Sequence, residues 1–126
     1  MPSVALGRRI LIADDELHNR IILTDLLGSK GYKTLCANDG AEAVRLGLRE
    51  APDLVLMDLH MPHLSGFEAT RQLLADGAYV GSPILLLSAD CDAETRRKAE
   101  ALGCTGFIEK PFRFDELLEA VASAIG

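Results

Sequence analysis

Two stretches of the chain, "LVLM" (54–57) and "ILLL" (84–87), are apolar without interruption. Side chains alternate between the two faces of a strand, so a strand can be apolar at every position only if both faces are covered. Such runs belong at the centre of a parallel sheet with helices on either side. The first run stops on a carboxylate, Asp58, and is followed by Met61-Pro62 and by Gly66. A fully buried strand that ends on a charge calls for a reason, and the reason lies in how the other strands end.

Five β-rich runs are predicted: "RILIAD" (9–14), "KTLCA" (33–37), "DLVLMD" (53–58), "ILLLS" (84–88) and "TGFIE" (105–109). Helical patterns alternate with them. Leu17 to Ser29 repeats apolar residues at Ile22, Leu23, Leu26 and Leu27, with Gly31 as a stop signal. Asp39 with Glu42, and Ser65 with Glu68, have capping-box spacing, so helices are expected to begin after Asp39 and after Ser65. Asp92 can cap a helix that runs through Leu102 to Gly103. The last helix carries Phe114, Leu117, Leu118, Val121, Ala122 and Ile125 along one face. Pro52 and Pro83 stand at strand entrances, where a missing N–H is tolerated, and 76–83 is the longest expected loop. No internal repeat, low-complexity segment or linker interrupts the pattern.

This alternation predicts a doubly wound (βα)5 domain, a flavodoxin-like three-layer sandwich with parallel sheet order 2-1-3-4-5. At 126 residues the chain has room for one such domain, with a core of about 9–125.

Composition narrows the function. The formal net charge of −6, with thirteen scattered basic residues, argues against a surface for nucleic-acid phosphates. No run reaches the roughly 18 apolar residues of a membrane span, and the N-terminus lacks a signal-peptide core. The three cysteines suggest neither zinc nor a disulfide framework, but free thiols in a reducing cytoplasm. Cys36 is expected to be buried, and Cys91 and Cys104 partly exposed.

In open α/β sheets, sites form beyond the carboxyl ends of the strands, where the strand order reverses. Here the first strand ends in Asp14-Asp15-Glu16, the third in Asp58, the fourth in Ser88 and the fifth in Glu109-Lys110. The predicted order makes the first and third strands neighbours, which crowds Asp14, Asp15 and Asp58 together beside Ser88 and Lys110. Crowded carboxylates raise a pKa or require positive partners. Lys110 is one such partner, and a hard, oxygen-seeking cation such as Mg2+ is the natural second. An ammonium, a hydroxyl and a metal facing a carboxylate form a pocket for a tetrahedral anion. A phosphoryl group could be transferred there to Asp58 acting as nucleophile.

Taken singly, these residues have ordinary explanations. An acidic cluster suits a helix N-terminus, a carboxylate can close a strand, and most lysines lie on the surface. Their convergence on four strand ends is what sets those explanations aside.

From about Arg9 to Ile125 the chain resembles the receiver domain of bacterial two-component response regulators. The resemblance is carried by "ADDE" (13–16), "LMDLHMPHLSG" (56–66), "LLSAD" (86–90) and "EKPF" (109–112), in that order. It implies that Asp58 is the phosphoacceptor and that Asp14 and Asp15 hold Mg2+ with Asp58 and the backbone carbonyl of His60. It implies that Ser88 bonds a phosphoryl oxygen, that Lys110 pairs with the phosphate, and that Lys110-Pro111 is a cis peptide. Phe107 falls on the family's switch aromatic, without the hydroxyl of the tyrosine often found there. His60 and Asp90 fall where the family modulates phosphoryl loss.

The implied function is a cytoplasmic, phosphorylation-controlled module of a two-component phosphorelay rather than a turnover enzyme, although it assists its own phosphoryl transfer and aspartyl-phosphate hydrolysis. Its phosphodonor would be a histidine kinase or a histidine phosphotransfer protein, and its output a downstream effector protein. No contact with nucleic acid or membrane is expected. The expected output surface is the fourth helix, fifth strand and fifth helix, including Arg96, Arg97, Glu100, Cys104, Glu119 and Ser123. With no output domain after the last helix, the expectation is a free-standing receiver or one excised from a hybrid kinase or larger regulator. The alternative is a degenerate receiver, a constitutive protein-interaction domain.

Other chemistries fit less well. His60-Met-Pro-His63 has a proline that breaks the helical spacing of a metal-binding pair, which leaves His63 solvated. "DCDAE" (90–94) lacks the glycine and the length of a calcium loop. No glycine-rich phosphate loop or nucleophile elbow is present. In a flavodoxin-type flavin binder, the loop after the first strand receives a phosphate; acids there would repel it.

Overall fold

The computed structural model describes residues 7–89 and 92–125, so Asp90 and Cys91, with the expectations attached to them, lie outside the described residues. In chain order the elements are β1 (Arg9–Ala13), α1 (Leu17–Gly28), β2 (Lys33–Ala37), α2 (Gly40–Glu50), β3 (Leu54–Asp58), α3 (Gly66–Ala75), β4 (Ile84–Ser88), α4 (Ala93–Leu102), β5 (Gly106–Glu109) and α5 (Phe114–Ile125). All neighbouring strands are parallel, in the order β2-β1-β3-β4-β5. The predicted alternation and topology are therefore the observed ones.

The period of two along each strand divides the core into two layers. Ile10, Ile12, Leu54, Leu56, Leu85 and Leu87 face Leu23 and Leu27 of α1 and Leu117 and Val121 of α5. Leu11, Ala13, Val55, Met57, Ile84 and Leu86 face the other way, with Ala43, Ala69, Leu73 and Ala99 from α2, α3 and α4. Every residue of β3 and β4 is buried, as their unbroken apolarity requires. Each such leucine or isoleucine contributes about 1.5–3 kcal/mol by leaving water.

Caps fix where the helices begin. Asp39 accepts from the Glu42 N–H at 2.8 Å, Ser65 from the Glu68 N–H at 3.2 Å, and Asp92 from the Thr95 N–H at 2.7 Å. Gly103 closes α4 at φ +89, in the left-handed region that suits glycine. The first helix ends slightly earlier than expected, at Gly28 with Ser29 as its cap, and Gly31 lies in the following turn. Some expectations fail: Phe114 and Ala122, placed on the core face of the last helix, are exposed, and Cys36 is exposed, not buried. Cys36 lies on the edge strand β2, where cover is incomplete, with its sulfur 3.6 Å from the Thr24 hydroxyl.

Candidate functional site

The carboxyl ends of β1, β3, β4 and β5 bring the sequence-predicted residues together. One carboxylate oxygen from each of Asp14, Asp15 and Asp58 lies within 4.8 Å of the others. Asp14 and Asp58 are buried, whereas Asp15 is exposed at the mouth. Lys110 reaches over from the end of β5, with Nζ 3.3 Å from Asp58 Oδ1 and 3.5 Å from Asp14 Oδ2.

Asp14 is held in place from several sides. Its own N–H still donates to the Ala37 carbonyl at 3.1 Å, although the strand ladder stops one residue before it. Its Oδ1 accepts from the Glu16 N–H at 2.9 Å, its Oδ2 accepts from Asn19 Nδ2 at 3.3 Å, and its carbonyl accepts from Arg20 at 2.7 Å. Sequence reasoning missed Asn19 and Arg20. Their position one turn into α1 was the only available sign, and a helix's rotation about its axis is not written locally.

Asp58 sits at the end of the fully buried strand β3, and burial pushes its carboxyl above the ordinary range. The Lys110 ammonium opposes that rise, the charge on Asp14 adds to it, and the His60 backbone N–H donates to the carboxylate and lowers it. The loop after Asp58 is tightly tied: the Gly66 N–H donates to the Leu59 carbonyl at 2.8 Å, and Met61 is buried. A Cβ at Gly66 would lie 2.1 Å from the Asp58 carbonyl oxygen, and a Cβ at Gly40 would lie 2.1 Å from the Leu64 carbonyl oxygen. Only glycine at these two places lets α3 start against β3 and lets the loop lie on the start of α2. His60 and His63 are exposed, and His63 Nδ1 lies 3.5 Å from Asp39 Oδ2.

Ser88 is fully buried at the end of β4, and its carbonyl accepts from the Lys110 N–H at 2.8 Å. The Lys110-Pro111 peptide is cis. Phe107 pairs in register with Leu86 and is half-buried against the layer that contains Ala99. A cleft of about 380 Å³ opens beside the cluster, lined by Asp14, Asn19, Ile22, Lys110, Phe112 and Phe114 among others.

The donor set is made only of carboxylate oxygens with one ammonium, which suits a hard divalent cation and an anion rather than a soft metal. Among the described residues, Asp14, Asp15 and Asp58 form the only group of three or more acidic, histidine or cysteine side chains spaced to hold a metal ion.

The chain matches the response regulator receiver domain over residues 10–122. It is 36% identical to the regulatory protein AtoC of Escherichia coli, over 93% of this chain and 25% of AtoC. It is 33% identical to the protein PilH of Pseudomonas aeruginosa, over 93% of this chain and 97% of PilH. Some curated relatives are thus much longer, and the chain spans a quarter or less of the length of the first of them. Among solved structures, it is similar to the receiver domain of a Pseudomonas aeruginosa PAO1 sensor histidine kinase, described with a magnesium ion coordinated in the active-site cleft. That likeness has a TM-score of 0.87 and 32% identity, and covers 95% of this chain and 98% of that one. With nearly its whole length matched and the same five-stranded topology, the chain belongs to the response regulator receiver domain family.

Proposed function

We propose that the chain is a single receiver unit of a two-component phosphorelay, in which Asp58 accepts a phosphoryl group from a histidine kinase or histidine phosphotransfer protein. One observation carries the proposal: three carboxylates converge to within 4.8 Å at strand ends, with Lys110 Nζ 3.3 Å from the buried Asp58. Asp58 Oδ attacks phosphorus, the bond from phosphorus to the donor's imidazole nitrogen breaks, and the electron pair leaves with that nitrogen. Lys110 offsets charge on the transferring oxygens, and the Ser88 hydroxyl is the group that would bond one of them. The carboxylates of Asp14, Asp15 and Asp58 and the His60 carbonyl would hold Mg2+, which supplies charge neutralisation of the phosphoryl oxygens. Asp14 is suited to this task because Asn19, Arg20 and the Glu16 N–H fix it before any ligand arrives.

The module's output is a changed contact surface for an effector protein. Arg96, Arg97, Glu100, Glu119 and Ser123 of the expected surface are exposed, and Cys104 is half-buried. Among the described residues no helix is long and apolar enough to cross a membrane, and a cytoplasmic setting, where the kinase's phosphohistidine is made, belongs to the same proposal.

Acetyl phosphate with Mg2+ should add the mass of one phosphoryl group, which hydroxylamine removes, and Asp58→Asn should take none. Full labelling of the Asp58→Asn protein would refute the assignment. A wild-type protein that never takes the group would favour the degenerate, constitutive interaction domain.

A further inference from the structure

Phe107 lacks the hydroxyl with which a tyrosine could fasten itself, yet its ring does have a polar neighbour. The Arg96 guanidinium carbon lies over the ring, 5.3 Å from its centroid. Arg96 projects from α4, whose N-cap Asp92 follows Ser88 by four residues, so the contact joins the start of α4 to β5. The two side chains share a cleft of about 190 Å³ with Ala99, Glu100, Cys104 and Thr105. Arg96 is exposed and Phe107 half-buried, and the cleft between them leaves the ring space to move.

We infer that Arg96 is a positioning residue for Phe107: its guanidinium holds the ring against α4 in the unphosphorylated protein, and the ring must leave this contact to turn inward. The inference rests on the proposed role of Phe107 as the moving part of a phosphorylation-controlled surface. A cation over an aromatic face is attracted by the ring's electron density. Here that attraction biases the two ring positions toward the one in contact with Arg96. It also couples the ring to the charge that α4 presents. While the contact holds, Arg96 is turned toward β5, and when the ring leaves, the guanidinium is released to a partner.

The test uses NMR of the full chain. In the free wild type, the Arg96 side-chain protons should be shifted upfield by the ring current, and Phe107→Leu should abolish that shift. Arg96→Gln keeps length and polarity but removes the cation. It should move the free protein's Phe107 signals toward their beryllofluoride-saturated positions, a change of about two- to fivefold in the ratio of the two orientations. Unshifted Arg96 protons in the wild type, or Phe107 signals that ignore Arg96→Gln, would overturn the inference. Mass spectrometry after acetyl phosphate treatment reports separately on Asp58. If Asp58 takes no phosphoryl group, the proposed function fails, while the comparison of free wild type, Phe107→Leu and Arg96→Gln still decides the contact.

Discussion

A Cβ built on Gly66 would lie 2.1 Å from the carbonyl oxygen of Asp58, a backbone atom that has little room to yield. The helix following the candidate phosphoacceptor is therefore packed against that residue's own backbone. Gly66→Ala should cost about 1–3 kcal/mol, the range of substitutions that force overpacking or backbone displacement. Chemical denaturation would measure it. A loss below about 0.5 kcal/mol, the usual limit for neutral surface changes, would show that the approach is not a constraint.

The Asp58 carboxyl gives a signed pH dependence. Burial raises its folded-state pKa above the unfolded value, so between those two values the folded state binds more protons than the unfolded state. The metal-free protein should therefore lose stability from this group as pH rises through that window, with the full penalty present above it. Asp58→Asn removes the charge and keeps the shape. It should stabilise the metal-free protein at neutral pH by about 0.5–2 kcal/mol, within the range common for stabilising changes. Urea melts of both proteins in chelator, compared above and below the window, would check the sign. A variant less stable than the wild type at neutral pH would mean that the Lys110 pairing outweighs the burial.

What could be read in the sequence and what could not divide along physical lines. Strand runs such as 84–88 and the caps Asp39, Ser65 and Asp92 are local, and each stands in the structure where its spacing put it. The meeting of Asp14, Asp58 and Lys110 is not local, but one topological rule for doubly wound sheets was enough to foresee it. Features set by tertiary placement left no such trace. The exposure of Cys36 depends on β2 being an edge strand with one face partly uncovered. Asn19 and Arg20 reach Asp14 because of how α1 is rotated, and Arg96 reaches Phe107 because of where α4 lies on β5. The left-handed Ala51 that ends α2, at φ +46, had no glycine or asparagine to announce it.

Asp15 offers a way to test the metal site without disturbing the core, because it is the exposed member of the cluster. A folded-state ligand at a hundredfold excess over its Kd stabilises a protein by about 2.7 kcal/mol, so Mg2+ should raise the wild-type denaturation midpoint appreciably. Asp15→Ala should remove most of that response, prevent phosphorylation of Asp58 and leave the fold intact. Without metal, the variant should match or exceed the wild type in stability, since a repelling carboxylate has gone. In the wild type, the Mg2+ response should weaken on acidification, because protonated carboxylates are poor ligands. An Asp15→Ala protein with unchanged Mg2+ affinity would rule out this donor set.

Ser88 and Phe107 should respond as a pair. Ser88 is fully buried at the end of β4, beside the strand that ends in Asp58. Phe107 pairs with Leu86, two residues earlier on the same strand as Ser88. A phosphoryl group on Asp58 brings about two negative charges and strong acceptor oxygens to this point. A hydroxyl drawn toward those oxygens leaves space on the α4 side of the sheet, the side against which the half-buried Phe107 ring packs. Completing the burial of such a ring contributes less than about 2 kcal/mol, which shifts two states substantially only if they are nearly balanced beforehand. Beryllofluoride, standing in for the phosphoryl group, should therefore move the NMR signals of Ser88, Phe107 and the residues around Arg96 together. In Ser88→Ala the acetyl phosphate adduct should still form on Asp58, while the response at Phe107 shrinks because no hydroxyl follows the phosphoryl oxygens. A Phe107 environment that stays fixed at full occupancy of the wild-type site would break this coupling, and the surface change would have to start from another element.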